Sequence, residues 1–444
     1  MPLTAAKRSE KISAAEAASL VRDGMWLDYG VCIGQPDVFD QALGARAREL
    51  TGVKIRSCLT MRTRAYHEPE FSGENILSLS WHFTGYDRRQ HDAGRCNYIP
   101  LNLGEWPDLY RRFIERPDIA ILKCCPKDEA GFYNFSAAAT YLRAVVERAR
   151  IIIVEINEAL PYCYGTSNGV HESEVDFVID GDGLAPVELP NPPATVVDRK
   201  IAQLIAAEVH DGACIQIGIG GMPNAVCSSL KDAGLKDLGV GTEMMVDGIM
   251  ELIEAGMVTN ALKQVDAGKS VYTFAAGSKR LYQFIDRNPD LAIRSVDETN
   301  LPQNVARNHH VVAVNSTAQM DLQGQAASES AGHRHFTGTG GQLGFVRGAY
   351  QSPGGKAFLC MPSTYGKDKS GVPQSRVVLD LPPGTTVTTP RTDVMYAVTE
   401  YGMVNLKGKS VAERARAMIS IAHPDFREDL EREASAKGLI PRGF

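Results

Sequence analysis

The chain is predicted to be an α/β protein made of two related open-sheet domains, and three features of its 444 residues carry that prediction. First, Ile119-Ala120-Ile121-Leu122 and Ile151-Ile152-Ile153-Val154 are continuous apolar runs, as expected of parallel strands buried on both faces. Second, the stretch between them, Ala138 to Arg150, has helical spacing, which gives a strand–helix–strand order. Third, the chain repeats itself. Asp23-Gly24-Met25-Trp26-Leu27-Asp28-Tyr29-Gly30-Val31-Cys32-Ile33-Gly34-Gln35-Pro36-Asp37 is echoed by Asp211-Gly212-Ala213-Cys214-Ile215-Gln216-Ile217-Gly218-Ile219-Gly220-Gly221-Met222-Pro223-Asn224. Both read as a helix ending at Asp-Gly, a short strand, a glycine loop, then Pro-Asp or Pro-Asn opening a new helix. A repeat at this distance means two related domains and not a short-period solenoid.

Between the halves, Asp182 to Pro193 contains Pro186, Pro190, Pro192 and Pro193, which cannot sustain a helix or a central strand. The expected division is therefore a domain over 1–185, a linker over 186–195 and a second domain over 196–444. In that second domain Met245, Ile249, Leu252 and Ile253 share one helical face, and Gly256 can end the helix. Ser410-Val411-Ala412-Glu413 fits a capping box for a helix through Ile421. Pro424 then opens a further helix that Gly438 can close.

Composition narrows the function. Hydrophobic residues at 44% and charged residues at 23% describe a soluble globular protein. A net charge of −6 argues against nucleic acid as the partner, and no apolar run is long enough to span a bilayer. The start, Met1 to Arg8, lacks the hydrophobic block of a secretion signal. Nine cysteines without a Cys-x-x-Cys pair indicate neither a disulfide framework nor a zinc site, so a reducing, cytoplasmic setting is expected.

Several motifs compete for the chemistry. Gly218-Ile219-Gly220-Gly221-Met222 begins Gly-x-Gly, but the third dinucleotide-binding glycine is replaced by Pro223, and no Gly-Lys-Ser/Thr follows. It is either a loop leading to an anion-favouring helix N-terminus or a tight packing turn. Gly338-Thr339-Gly340-Gly341-Gln342 with Gly354-Gly355-Lys356 either offers backbone amides to an oxyanion or forms the turns of a hairpin-like segment. Gly165-Thr166-Ser167-Asn168-Gly169 matches a serine-hydrolase elbow, but the residues after it look extended where a helix is required. His333 and His335 lack a third metal ligand nearby, and Glu400 is either a rival catalytic carboxylate or, as most such glutamates are, a paired or solvated one. Glu243, in Gly241-Thr242-Glu243-Met244, reads as a carboxylate at a strand end leading into a helix. With an ordinary pKa of about 4.3 it is ionised at neutral pH and needs no partner base to attack an acyl group.

Taken together with Val398-Thr399-Glu400-Tyr401-Gly402 and Ile421-Ala422-His423-Pro424-Asp425-Phe426-Arg427, these segments resemble the acetyl-CoA hydrolase/transferase family. Within it the chain is most similar to 4-hydroxybutyrate, butyryl-CoA:acetate and itaconate CoA-transferases. The resemblance implies two tandem CoA-transferase (NagB-like) domains with the active site between them. It implies Glu243 as the nucleophile that becomes a glutamyl-CoA thioester, and the Gly341 amide as an oxyanion donor. It also implies CoA contacts at Gly218, Ile219, Gly220, Gly221, Met222, Ala318, Gly341 and Lys367, with Lys369 the alternative to Lys367. Where the family usually has Asp, this chain has Gly344.

The implied reaction is ping-pong transfer of CoA from acetyl-, butyryl- or succinyl-CoA to acetate, butyrate, 4-hydroxybutyrate or itaconate. CoA serves as co-substrate, with no tightly bound cofactor and no metal. The same glutamate would serve an acyl-CoA hydrolase, with water as acceptor. A non-catalytic CoA-binding protein is the reading of a different class. By the repeat, the loop Tyr29 to Pro36 borders the acyl pocket, with Val31 and Met61 as lining or core residues. A homodimer or larger assembly is the expected state.

Overall fold

The computed structural model describes residues 9–67, 74–189, 192–218, 220–367 and 371–443. It separates into two compact units, Met1–Pro190 with Val271–Thr299, and Asn191–Ser270 with Asn300–Phe444. The residues between Gly181 and Leu189 carry no helix or strand.

In the first unit the named elements are β1 (Glu10–Lys11), α1 (Ala14–Ser19), β2 (Trp26–Val31), α2 (Val38–Arg46), β3 (Val53–Cys58), β4 (Ile76–Ser80) and β5 (Cys96–Tyr98). They continue with β6 (Ile119–Cys124), α3 (Leu142–Arg148), β7 (Ile151–Ile156) and β8 (Phe177–Asp180). The strands form one sheet in the order β1-β8-β7-β6-β2-β3-β4-β5, every neighbouring pair parallel. All six residues of β6 are buried, which is why its run Ile119 to Leu122 is apolar without alternation, and the one charged residue, Lys123, is paired. The chain runs outward from β2 through β5 and resumes at β6 on the other side of β2, so the strand order reverses between β2 and β6.

Leu27, Phe39, Leu43, Ile55, Ile121 and Ile153 belong to the core of this unit. The Pro36-Asp37 start of α2 is as read from sequence, but its cap comes from elsewhere. Glu155 on β7 accepts the Asp37 and Phe39 amides at 2.8 and 2.9 Å. The freed Asp37 carboxylate instead meets Lys123 at 2.7 Å and Arg62 and Arg64 at 3.3 Å.

The helix expected from Ala138 exists but starts only at Leu142. Ser136 and Thr140 sit at φ +58° and +28°, outside helical space. The Asn134 side chain accepts the Ser136 amide at 2.8 Å, and the Thr140 amide donates to Thr273 O. These buried contacts override the local helical spacing.

The second unit contains α4 (Val196–Ala206), β9 (Cys214–Ile217), α5 (Gly221–Asp232), β10 (Gly239–Val240), α6 (Asp247–Glu254) and β11 (Val311–Ser316). It continues with α7 (Gln342–Gln351), β12 (Lys356–Cys360), β13 (Tyr396–Thr399), β14 (Gly402–Asn405), α8 (Val411–Ile421) and α9 (Pro424–Ala436). Its sheet runs β10-β9-β11-β12-β13-β14, parallel except for the closing β13–β14 hairpin. The capping box at α8 is complete, with Ser410 N–H donating to Glu413 at 2.7 Å and Glu413 N–H to Ser410 Oγ at 3.3 Å. Gly256 and Gly438 follow α6 and α9 at φ +72° and +73°, the left-handed geometry that ends a helix.

The hairpin-like reading of 338–355 is wrong: α7 lies there. Its glycines allow neighbouring chain to approach closely. A Cβ at Gly348 would lie 2.5 Å from Val305 Cβ, and one at Gly344 would lie 2.5 Å from Asn300 O. Tertiary packing selects the helix where local turn chemistry suggested otherwise. Among the described residues, no helix is long and apolar enough to cross a membrane.

Candidate active site

The second sheet sends several sequence-flagged segments out of one edge. β9, β10, β11 and β12 are parallel neighbours. Gly218 follows β9, Glu243 follows β10, Ala318 follows β11 and Ser363 follows β12. The carboxyl ends of parallel strands are where open α/β sheets bind ligands.

Glu243 does not sit at the strand end itself. It occupies a bend three residues beyond β10 and four before α6. The buried Thr242 shapes this turn by donating its hydroxyl to Met244 O at 3.2 Å. Asn300 Nδ2 donates to Glu243 Oε2 at 2.6 Å, and the Gly341 amide also donates to this carboxylate. Gly341 is the N-cap of α7, so the second donor belongs to a helix N-terminus, where negative charge is favoured. A Cβ at position 341 would run into both Glu243 Oε2 and Asn300 Nδ2. Only glycine lets the backbone come this close.

The electrostatics correct one expectation. Glu243 does not keep an ordinary carboxylate pKa: removal of its carboxyl from water pushes the value up to about 7, against the opposing pull of the Asn300 and Gly341 hydrogen bonds. The residue as a whole retains some solvent exposure, so the desolvation is concentrated at the carboxyl end. At neutral pH the carboxylate and carboxylic acid forms coexist.

In the loop Gly218 to Met222, Gly220 adopts φ +115° and opens α5. Gly220 is exposed, while Gly218 and Gly221 are half-buried. Met222 is buried, its thioether taking the Cys360 thiol at 3.5 Å, so its side chain serves the core. Ile219 lies outside the described residues. Ala318 is half-buried, its carbonyl accepting Arg376 at 2.6 Å. Lys367 is exposed at the end of the strand Thr364–Lys367, and Lys369 lies outside the described residues.

The other flagged residues have local partners. Glu400 accepts the Ser363 amide and hydroxyl at 2.8 and 2.7 Å, as expected of a paired carboxylate. Ser167 is followed by the strand Gly169–His171 and a short 3-10 turn, not the helix of a nucleophile elbow. His335 lies 3.9 Å from Glu329. In the first unit Val31 is buried, and Met61 accepts the Cys32 thiol at 3.1 Å. Asn300 was not legible: it carries no local motif, and only folding brings it to Glu243.

Family models for the acetyl-CoA hydrolase/transferase N-terminal and C-terminal domains match residues 5–188 and 277–434. The chain is 42% identical to a butyryl-CoA:acetate CoA-transferase of Anaerostipes caccae, covering 95% of each protein. It is 36% identical to a 4-hydroxybutyrate coenzyme A transferase of Clostridium kluyveri, covering 96% of this chain and 97% of the relative. Among solved structures, RipA from Yersinia pestis superposes with a TM-score of 0.89 at 35% identity, covering 97% of this chain and 98% of RipA. A 4-hydroxybutyrate CoA-transferase from Porphyromonas gingivalis gives 0.78 at 30%, covering 96% and 98%.

Proposed function

The chain belongs to the acetyl-CoA hydrolase/transferase family, and from that premise we propose that it is a CoA-transferase exchanging CoA between short-chain acids through a thioester on Glu243. The observation that carries this reading is the convergence of the Asn300 amide and the Gly341 N–H on one desolvated carboxylate. A structural ion pair would present a cation there. Two neutral donors instead suit a group whose charge must change during turnover.

In the first half-reaction a Glu243 oxygen attacks the thioester carbonyl of the acyl-CoA. The C–S bond breaks, giving a mixed anhydride and CoA thiolate. The thiolate then attacks the glutamyl carbonyl, the C–O bond to the acyl group breaks, and the first acid leaves as carboxylate. Glu243 now carries CoA as a thioester. An acceptor carboxylate runs the same steps in reverse.

When the thiolate adds to the glutamyl carbonyl, negative charge develops on the remaining Glu243 oxygen. Asn300 Nδ2 and Gly341 N–H already point at this group and form its oxyanion hole. Removing one such donor typically costs about 10²–10³ in rate. Desolvation makes Glu243 a more basic nucleophile than a carboxylate in water, while leaving an ionised fraction at neutral pH.

The substrates suggested by the relatives are acetate, butyrate, 4-hydroxybutyrate and succinate with their CoA esters. CoA is a co-substrate, bound in part by the backbone around Gly218, Gly220 and Gly221. The test is mass spectrometry after mixing with acetyl-CoA in the absence of acceptor. A CoA adduct on the Glu243 peptide, discharged by added butyrate, is expected. An unmodified peptide under these conditions would sink the proposal.

A further inference from the structure

Gly341 can act on Glu243 only if its amide is held still, yet Gly338, Gly340 and Gly341 give the loop no side-chain packing of their own. Gly340 is in the left-handed region at φ +60°. The one side chain among them is Thr339, and its hydroxyl donates to Glu329 Oε2 at 2.9 Å. Glu329 is 3% exposed, and its other oxygen accepts the Thr388 hydroxyl at 2.9 Å. Its backbone carbonyl accepts the Phe336 amide at 2.9 Å.

On the far side of Gly341 a matching set of contacts fixes Gln342. Its Oε1 accepts the hydroxyls of Ser328 at 3.0 Å and Thr389 at 2.9 Å, and its Nε2 donates to Ser316 O at 2.9 Å. The two sets are joined, because Ser328 N–H donates to Thr388 Oγ1 at 2.9 Å. The chain-adjacent pairs Ser328-Glu329 and Thr388-Thr389 thus grip the residues that bracket Gly340 and Gly341.

A buried carboxylate is an expensive way to hold a loop if packing alone is required, since apolar replacements for buried ionic groups are often neutral or stabilising. What a hydrogen-bonded carboxylate adds is direction. We infer that Glu329 is a positioning residue for the transfer reaction: through Thr339 it holds the Gly341 N–H on the Glu243 carboxylate. The inference rests on the proposed role of Glu243. His335, 3.9 Å from Glu329, is an ionisable side chain beside the brace.

The experiment compares Thr339→Val, which keeps the shape and removes the hydroxyl, with Thr339→Ser, which restores it. Single-turnover formation of the CoA adduct from acetyl-CoA is timed for each, with Tm and the acetyl-CoA concentration dependence measured alongside. For Thr339→Val the maximal rate is expected to fall about tenfold or more, less than the roughly 10²–10³ of a donor removed outright because this one is only displaced, while half-saturation changes less than about twofold. Thr339→Ser is expected to recover most of the rate. If Thr339→Val fails to fold, Glu329→Gln, similar in volume and retaining one acceptor oxygen, takes its place with the same expectation.

A variant that forms adduct at the wild-type rate, or that loses rate only in proportion to its folded fraction, overturns the inference. Absence of adduct in the wild-type protein overturns the reading of Glu243 and this inference with it. Wild-type adduct with an unaffected variant overturns the brace alone.

Discussion

Asn300 Nδ2 lies 2.6 Å from Glu243 Oε2, joining two residues 57 positions apart in the chain. The segment beginning at Asn300 is itself seated on α7, where the absence of a side chain at Gly344 admits the Asn300 carbonyl. The same helix begins beside Gly341, the other donor to the carboxylate. One helix therefore sets both hydrogen bonds.

Removal of the Asn300 donor is expected to slow transfer and make Glu243 harder to ionise. Asn300→Ala should lower kcat by about 10²–10³. It should also move the acid limb of the pH–rate profile upward, because a hydrogen bond that favours the charged form has been lost. Initial rates of CoA transfer across pH 5–9 check both outcomes.

The raised pKa predicts the form of the wild-type profile. The nucleophile is the carboxylate, so kcat/KM should rise with pH and level off above about 7. Well below that value the rate should fall about tenfold per pH unit. An acid limb centred near 4.5, the ordinary glutamate value, would show that the carboxyl is hydrated in solution.

Stability should respond with a defined sign. Glu243 has a folded-state pKa of about 7 against an ordinary 4.5, so the folded protein binds the proton more tightly than the unfolded chain. Its favourable contribution is complete below 4.5 and is lost as pH rises toward 7. Glu243→Gln cannot ionise, and should gain in Tm relative to wild type between pH 5 and pH 8 while losing activity by roughly 10⁴-fold or more. A Tm difference independent of pH would contradict the assignment.

Gly344→Asp should harm this chain. Its Cβ would lie 2.5 Å from Asn300 O, and backbone must move to accept it. We expect a loss of about 1–3 kcal/mol, as for overpacking, together with a larger fall in transfer rate as Asn300 shifts. Urea unfolding and steady-state kinetics of the variant separate these effects.

In the first unit, Asp37 is the shared partner of Lys123 and Arg64, whose side chains are 6% and 2% exposed. Asp37→Ala leaves these charges without it and should destabilise by about 3–5 kcal/mol. Adding Lys123→Met should recover part of the loss. Urea midpoints for the single and double variants measure it.

Much of the architecture could be read locally. β6 and β7 are recognisable from the apolar runs Ile119 to Leu122 and Ile151 to Val154, as expected of strands buried on both faces, although Lys123 and Glu155 follow those runs. The α8 start was recognisable because a capping box is complete within four residues. In the two Asp-Gly–strand–glycine-loop segments the turn and strand follow short-range rules, but α1 and α4 end at Ser19 and Ala206, ahead of Asp-Gly, and α5 begins at Gly221, ahead of Pro223. Glu243, Gly341 and the loop at Gly218 were flagged by such short-range rules, helped by their resemblance to a family. By contrast, the helical spacing over Ala138 to Arg150 is six residues longer than α3, and α7 stands where one of the two local readings placed a hairpin-like segment. In both, contacts with distant chain outweighed local spacing.

Short-range rules thus accounted for which residues become strands and helix starts, since backbone hydrogen bonding and side-chain periodicity act over a few positions. The state of Glu243 belongs to another scale. Its pKa comes from desolvation opposed by two hydrogen bonds, and the atoms responsible include donors from Asn300 and Gly341. Those donors arrive through helix packing that glycines permit but do not announce. Solvation and donor geometry are properties of the assembled neighbourhood, so the chemistry of this carboxylate emerged only with the fold.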